Sequence, residues 1–143
     1  MKAVRHFGIV VSDIKKSLYF YTKLLGLKTK RDVLEKGKFI DTVLRIKNVK
    51  VRTVKMAADD GLLIELLWYK SHQKKRRKNK IIYDIGASHP AFTVKKLDEE
   101  YKKLKKQGIK FYSQPQVSPD GKAKVAFCRD PDNVPIELVE ELN

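Results

Sequence analysis

Residues 61–70, GLLIELLWYK, carry the strongest indication of the fold, because their centre returns near the C-terminus within residues 133–141, NVPIELVEE. Each stretch reads as a β-strand with a glutamate in its middle, Glu65 in the first and Glu137 in the second. Side chains alternate between the two faces of a strand, and here both faces are largely apolar. A buried carboxylate is costly unless it is paired, protonated or bound to a metal ion. The repetition of this feature predicts two equivalent structural units.

The sequence around each stretch predicts the same order of elements: a strand, a helix and three further strands. In the first half, Ser12 or Asp13 is a suitable helix cap and Gly26 a suitable end. The first-half segments are a strand at 3–11, a helix at 12–25, a strand at 27–35, a short helix at 38–47, and strands at 50–58 and 62–69. The second-half segments are a strand at 87–94, a helix at 95–108, and strands at 109–115, 122–130 and 134–141.

Residue matches support an internal duplication. A shift of 83 residues places His6 on His89, and a shift of 72 residues places Glu65 on Glu137. A repeat of this kind defines the architecture of the whole chain. We therefore expect an α+β fold of two βαβββ modules. Module 1 covers about 1–70, a basic linker about 71–85 and module 2 about 86–143, all within one domain.

His6, Glu65, His89 and Glu137 are the candidate metal ligands. Each repeat offers a histidine from its first strand and a glutamate from its last, so neighbouring first and last strands would bring each pair together. Taken singly, a strand histidine is usually structural and a strand glutamate usually faces water. The joint pattern at repeat-equivalent positions favours one divalent ion held by two nitrogens and two carboxylates. Such donors suit zinc, nickel, cobalt, iron or manganese.

Composition excludes some classes of protein and leaves others open. The chain has 143 residues and a net charge of +15, with one cysteine and no apolar run long enough to cross a membrane. We expect a cytoplasmic protein, with Cys128 a small core residue and His72 without a role. The basic run Lys74 to Lys80 lacks interleaved aromatic residues and is typical of a solvated loop. Nucleic-acid binding is therefore a distant alternative, and an anionic small molecule is the expected partner.

The duplicated unit resembles the glyoxalase, bleomycin-resistance and extradiol-dioxygenase superfamily, also called vicinal oxygen chelate proteins. The resemblance covers nearly the whole chain and is carried by HFGIVVSD at 6–13, IELLWY at 64–69 and CRDPDNVPIEL at 128–138. It implies paired βαβββ modules whose curved mixed sheets surround a central metal-binding cleft, with metal ligands at His6, Glu65, His89 and Glu137. That ligand set is most similar to the one in bacterial glyoxalase I. Family members are often dimers with the active site between chains.

The resemblance implies a lyase or isomerase, most like lactoylglutathione lyase. In such enzymes a divalent metal acts as a Lewis acid that stabilises an enediolate intermediate, and a carboxylate transfers the proton. Glu137 takes the role of base, and Glu65 is a ligand or the base for the opposite face. The alternatives are a methylmalonyl-CoA epimerase-like isomerase and a non-catalytic protein that binds a small ligand, as drug-resistance members do.

The expected glutathione contacts are absent from this chain. Glyoxalase I has an arginine late in its first strand and an asparagine after its first ligand glutamate, and the corresponding residues here are Val10 and Tyr69. Neither an apolar nor a phenolic side chain replaces a guanidinium that pairs with a carboxylate. These two residues argue against a glutathione hemithioacetal as the substrate, and the sequence leaves the identity of the anionic substrate open.

Overall fold

A computed structural model describes residues 2–74 and 81–142. The chain divides into two compact units, Met1–Arg76 and Arg77–Asn143, and the boundary falls inside the predicted basic linker. Each unit contains one four-stranded mixed sheet, and helices are few. The α+β class and the duplicated modules are as predicted. Most of the basic run Lys74 to Lys80 lies outside the described residues.

The first unit has four strands and two helical segments. Its first helix continues as a wider, π-helical turn. The elements are β1 (Phe7–Val10), α1 (Ile14–Leu18) with its π-helical continuation (Tyr19–Leu24), β2 (Lys28–Lys36), α2 (Lys38–Leu44), β3 (Lys50–Ala57) and β4 (Leu63–Tyr69).

The second unit repeats this order without the helix between its second and third strands. Its elements are β5 (Ala91–Thr93), α3 (Leu97–Lys106), β6 (Gln116–Val117), β7 (Ala123–Arg129) and β8 (Pro135–Glu141).

The two sheets have the same topology. The strand order is β1-β4-β3-β2 in the first and β5-β8-β7-β6 in the second, so the first and last strands of each unit are parallel neighbours. The backbone N–H of Val11 donates to the carbonyl of Leu67, and that of Val94 donates to Val139. These bonds join residues related by the same shifts of 83 and 72 positions. The structure thereby confirms the duplication and confirms that the first and last strands of each unit are neighbours.

Local sequence explains how α1 begins and ends. Asp13 caps the helix, because its Oδ1 accepts hydrogen bonds from the backbone N–H groups of Lys15 and Lys16 at 3.0 and 3.1 Å. Gly26 follows the helical segment with a φ of 80°, a conformation that favours glycine. The cap and the terminating glycine are both as predicted.

One face of each sheet forms the core. Ile64 and Leu66 of β4 are fully buried, and Ile136 and Leu138 of β8 repeat the arrangement. The helices contribute further buried residues, namely Ile14, Phe20, Tyr21, Leu97 and Leu104. Because strand side chains alternate, Glu65 and Glu137 lie on the opposite face from these core residues.

Helix α2 belongs to a small separate cluster. Ile40 packs with Val49 and Val51 at the start of β3, and Leu44 and Tyr69 lie against them. Helical spacing places Ile40, Val43 and Leu44 on one side of this helix. Leu44 packs against the cluster with Ile40, whereas Val43 is 60% exposed.

The predicted strand at 109–115 is wrong. In the structure, Tyr112 N–H bonds to Phe127, and the carbonyl of Lys110 accepts from Arg129, but regular pairing resumes only at β6. Pro115, which has no N–H to donate, lies in the gap. The first strands are likewise shorter than predicted, and His6 and His89 precede β1 and β5 rather than lying within them.

Candidate metal centre

The first His–Glu pair is built by the parallel strands β1 and β4. Gly8 is the register partner of Glu65, and His6 lies two residues earlier, on the same face. His6 Nε2 is 3.0 Å from Glu65 Oε2. Glu65 is buried, with only 10% of its side chain exposed, and His6 is half-buried. The carboxylate that the sequence placed inside an apolar strand is therefore paired, as its burial requires.

The second pair repeats this geometry in the other unit. Ala91 is the register partner of Glu137, and His89 again lies two residues before it. His89 Nε2 is 3.0 Å from Glu137 Oε2. This pair is more open, since the histidine is exposed and the glutamate half-buried. Two separate strand pairs thus hold the same two side chains at the same distance.

The donor atoms suit a divalent metal ion. Imidazole nitrogen and carboxylate oxygen bind such ions at about 2.1 Å, so two donors at right angles around a six-coordinate ion are about 3 Å apart, whereas two donors of a tetrahedral zinc site are about 3.4 Å apart. Both pairs mix nitrogen with oxygen, and their separation of 3.0 Å matches the six-coordinate arrangement. Each pair supplies two donors, whereas a catalytic zinc site has three or four. Across residues 2–74 and 81–142, no group of three or more His, Cys, Asp or Glu side chains suited to a metal is present.

The imidazole of His6 has one nitrogen without a partner. Its Nδ1 is buried and, within the described part of the chain, makes no hydrogen bond. Ligating histidines usually donate from this second nitrogen to a carboxylate or carbonyl. The ring orientation of His6 therefore depends on packing and on its contact with Glu65.

A cross-strand residue distinguishes the two pairs. Lys55 lies directly opposite Glu65 in the β3–β4 register, and its Nζ is 3.4 Å from Glu65 Oε1. The corresponding residue opposite Glu137 is Phe127, whose ring lies edge-on to His89 at 5.0 Å between centroids. Glu65 is therefore held between an imidazole and an ammonium, whereas Glu137 has an imidazole on one side and an aromatic ring on the other.

Sequence reasoning missed Lys55. Alternation along β3 assigns Lys55 to the same face as Thr53 and Ala57, but the face alone does not identify a contact. The contact depends on which β4 residue pairs with Lys55, and that register is a property of the folded sheet.

The residues at the expected glutathione positions differ in their surroundings. Val10 is 62% exposed and lies on the same face of β1 as His6 and Gly8. Tyr69 is partly buried against the α2 cluster of Ile40, Val49 and Val51. Neither residue presents a charged group.

The remaining histidine and the cysteine belong to neither pair. His72 is exposed, and its Nδ1 is 2.7 Å from Ser71 Oγ. Cys128 is fully buried, and burial, assisted by the nearby charge of Asp130, raises the pKa of its thiol to about 12. A thiol that stays protonated at physiological pH is a poor nucleophile.

Fold and site together define a class of protein: a duplicated βαβββ scaffold with a His–Glu pair at the same register in each unit. A family model described as "Glyoxalase/Bleomycin resistance protein/Dioxygenase superfamily" matches residues 3–138. The chain belongs to this superfamily.

Relatives and solved structures agree with this assignment. The uncharacterised protein YwkD of Bacillus subtilis is 26% identical, over 99% of this chain and 98% of its own length. A lactoylglutathione lyase of Schizosaccharomyces pombe is 32% identical over 96% of this chain, which spans about half (47%) of that protein. A glyoxalase family protein from Bacillus cereus has the same fold, with a TM-score of 0.89, 22% identity and coverage of 100% of this chain and 96% of its own.

The helices within the described ranges are all too short or too polar to span a membrane.

Proposed function

We propose that the protein is a metal-dependent lyase or isomerase that moves a proton on a small carbonyl substrate through an enediolate, as lactoylglutathione lyases do. His6, Glu65, His89 and Glu137 would hold one divalent ion, from the group nickel, zinc, cobalt, iron and manganese. The observation that carries this proposal is the 3.0 Å His–Glu pair at the same register in both units. An accidental pair would not be expected to recur at positions related by the repeat.

The surroundings of the two glutamates support different roles. When bound, the metal would act as a Lewis acid that stabilises the negative charge developing on the substrate. Lys55 and His6 restrain the carboxylate of Glu65, which suits a fixed ligand. Glu137 is more exposed and has no lysine opposite it, which suits a base that takes a proton and returns it.

The substrate is proposed to be anionic but not a glutathione adduct. The chain carries a net charge of +15, which attracts anions. Val10 and Tyr69, however, offer no charged contact at the positions where glyoxalase I is expected to hold glutathione. The name lactoylglutathione lyase therefore describes the proposed chemistry better than the proposed substrate.

Metal analysis combined with a solvent-deuterium exchange screen tests this function. The purified protein should contain, or bind tightly, one of the proposed metals. The loaded protein should exchange an α-proton of some α-hydroxy carbonyl or acyl-CoA compounds, and exchange in the acyl-CoA set alone would identify an epimerase. A protein with no metal and no affinity for nickel, cobalt or zinc would instead be a non-catalytic binding protein.

The substitution Glu137→Gln tests whether Glu137 acts as the base in addition to binding the metal. We expect it to retain most of the bound metal while the exchange rate falls by about 100-fold or more, because an amide cannot accept the proton. Metal content and deuterium exchange are measured on the same sample. Glu141→Gln makes the same change at an exposed site on the same strand and should leave both unchanged. Normal exchange by Glu137→Gln would rule out Glu137 as the base.

A further inference from the structure

Arg129 lies on the same face of the second sheet as the His89–Glu137 pair. In β7, Phe127 is the register partner of Glu137, and Arg129 follows two residues later. The residues on either side of Phe127 point the other way, since Ala126 and Cys128 are buried in the core. Two residues of a strand span about 7 Å, which is within reach of one small molecule.

A row of aromatic contacts connects Arg129 to His89. The guanidinium carbon of Arg129 lies 4.4 Å from the ring centroid of Tyr112. Tyr112 lies edge-on to Phe127 at 6.3 Å, and Phe127 lies edge-on to His89 at 5.0 Å. A guanidinium stacked on a ring loses less conformational freedom when it binds an anion. The side chain of Arg129 is thus restrained next to the candidate site.

Within residues 2–74 and 81–142, the charge of Arg129 is not neutralised by a carboxylate. Among the residues that the structure describes, none of the acidic side chains lies within ion-pair distance of it, whereas Lys55 pairs with Glu65 and Arg52 with Asp32. Arg129 is partly buried, and its guanidinium is a planar fork of N–H donors. Such a group favours bidentate binding of a carboxylate or a phosphate.

We propose that Arg129 binds the oxyanion of the substrate, a carboxylate or a phosphate, about 7 Å along the strand from the residue that faces Glu137. The assignment of this anion to a substrate rests on the proposed function, whereas the binding of an oxyanion at Arg129 does not. The site also explains how the chain holds an anionic compound without the glutathione contacts that are absent at Val10 and Tyr69.

Titration of the metal-free protein with methylphosphonate and, separately, with acetate tests the proposal. At constant ionic strength, one of the two should shift the NMR signals of the Arg129 side-chain Nε–H and of the backbone amides at 127–129. The probe that binds more tightly identifies a phosphate or a carboxylate. Arg129→Met should weaken that binding about tenfold or more, because a charge-assisted bidentate contact is lost.

Three further variants complete the experiment. Arg129→Lys keeps the positive charge but loses the forked N–H donors, so its affinity for the anion should lie between those of wild type and Arg129→Met. This variant replaces Arg129→Met in the comparison if Arg129→Met does not fold. Tyr112→Leu should weaken binding by removing the stacked ring. Arg31→Met removes one exposed positive charge on β2 and should bind as wild type does.

Equal affinity in wild type, Arg129→Met and Arg129→Lys, or shifts confined to other residues, would overturn the proposal. Because the protein is free of metal, that result would leave the proposed proton transfer untouched. Conversely, oxyanion binding by a protein that exchanges no α-proton would support Arg129 as an anion site and contradict only the proposed reaction.

Discussion

Lys55 and Phe127 occupy equivalent positions in the two units and give the two glutamates different surroundings. Lys55 faces Glu65 across the strands, and Phe127 faces Glu137. A buried carboxylate next to an ammonium is a compensated charge, and loss of either partner is costly. The same ammonium competes with any metal cation for Glu65, because like charges repel more strongly where water is scarce.

Replacement of Lys55 by methionine tests this competition. We expect Lys55→Met to bind nickel several-fold more tightly than wild type, because the repulsion between the ammonium and the ion is removed. The affinity is measured by competition with a chelator of known strength. Lys28→Met removes a lysine that pairs with exposed Asp59 at 3.2 Å and should leave the nickel affinity unchanged. Unchanged or weaker binding by Lys55→Met would contradict the competition.

At the level of elements, α2 is held by a small cluster rather than by the main core. Ile40 contributes the buried contact with Val49 and Val51, while Asp41 accepts hydrogen bonds from the N–H groups of Asn48 and Val49 at 2.8 and 2.9 Å. These contacts join the helix to the start of β3. Since β3 carries Lys55, α2 supports the strand that faces Glu65.

Ile40→Ala should lower the free energy of unfolding by about 2–4 kcal/mol, because a buried aliphatic side chain is replaced by a cavity. Val43→Ala, on the exposed side of the same helix, should change it by less than about 0.5 kcal/mol. Chemical denaturation followed through the fluorescence of Trp68, the only tryptophan, measures both. Equal losses in the two variants would show that Ile40 does not anchor the helix.

At the scale of the whole molecule, each unit supplies two of the four proposed ligands. The resemblance to dimeric family members leads us to expect a homodimer, whose metal sites lie either within one chain or between the first unit of one copy and the second unit of the other. A symmetric dimer of the second kind would contain two identical sites, and each copy would contribute to both.

Mixing two defective variants tests the sharing of sites. His6→Ala and His89→Ala should each bind nickel poorly, but after unfolding and refolding together they should recover about a quarter of the wild-type sites. The reason is statistical: half of the dimers are mixed, and each mixed dimer has one intact site. The matched control, His6→Ala refolded with Glu65→Gln, has both defects in the first unit and should recover none. No recovery in either mixture would place all four ligands in one chain.

The pairing of each histidine with its glutamate was predictable from the sequence for a definite reason. His6 and His89 are repeat-equivalent, as are Glu65 and Glu137, and a βαβββ unit makes its first and last strands neighbours. The strand predicted at 109–115 failed because alternation alone does not show where Pro115 and the bend before it interrupt pairing with β7. The predicted strands at 3–11 and 87–94 began four residues too early, because composition does not show that β1 and β5 begin to pair with their neighbours only at Phe7 and Ala91.

The sequence by itself determined the duplication, the order of the elements, the helix end at Gly26 and the two His–Glu pairs, and it limited the helix cap to Ser12 or Asp13. Periodicity, capping and repeats depend on short stretches of chain, which is why the sequence shows them directly. Only the tertiary structure decided that Lys55 contacts Glu65, that Phe127 takes its place beside Glu137, and that Arg129 stacks on Tyr112. These contacts join residues distant along the chain, and they depend on strand register and loop path, which arise from hydrogen bonding and packing across the whole unit.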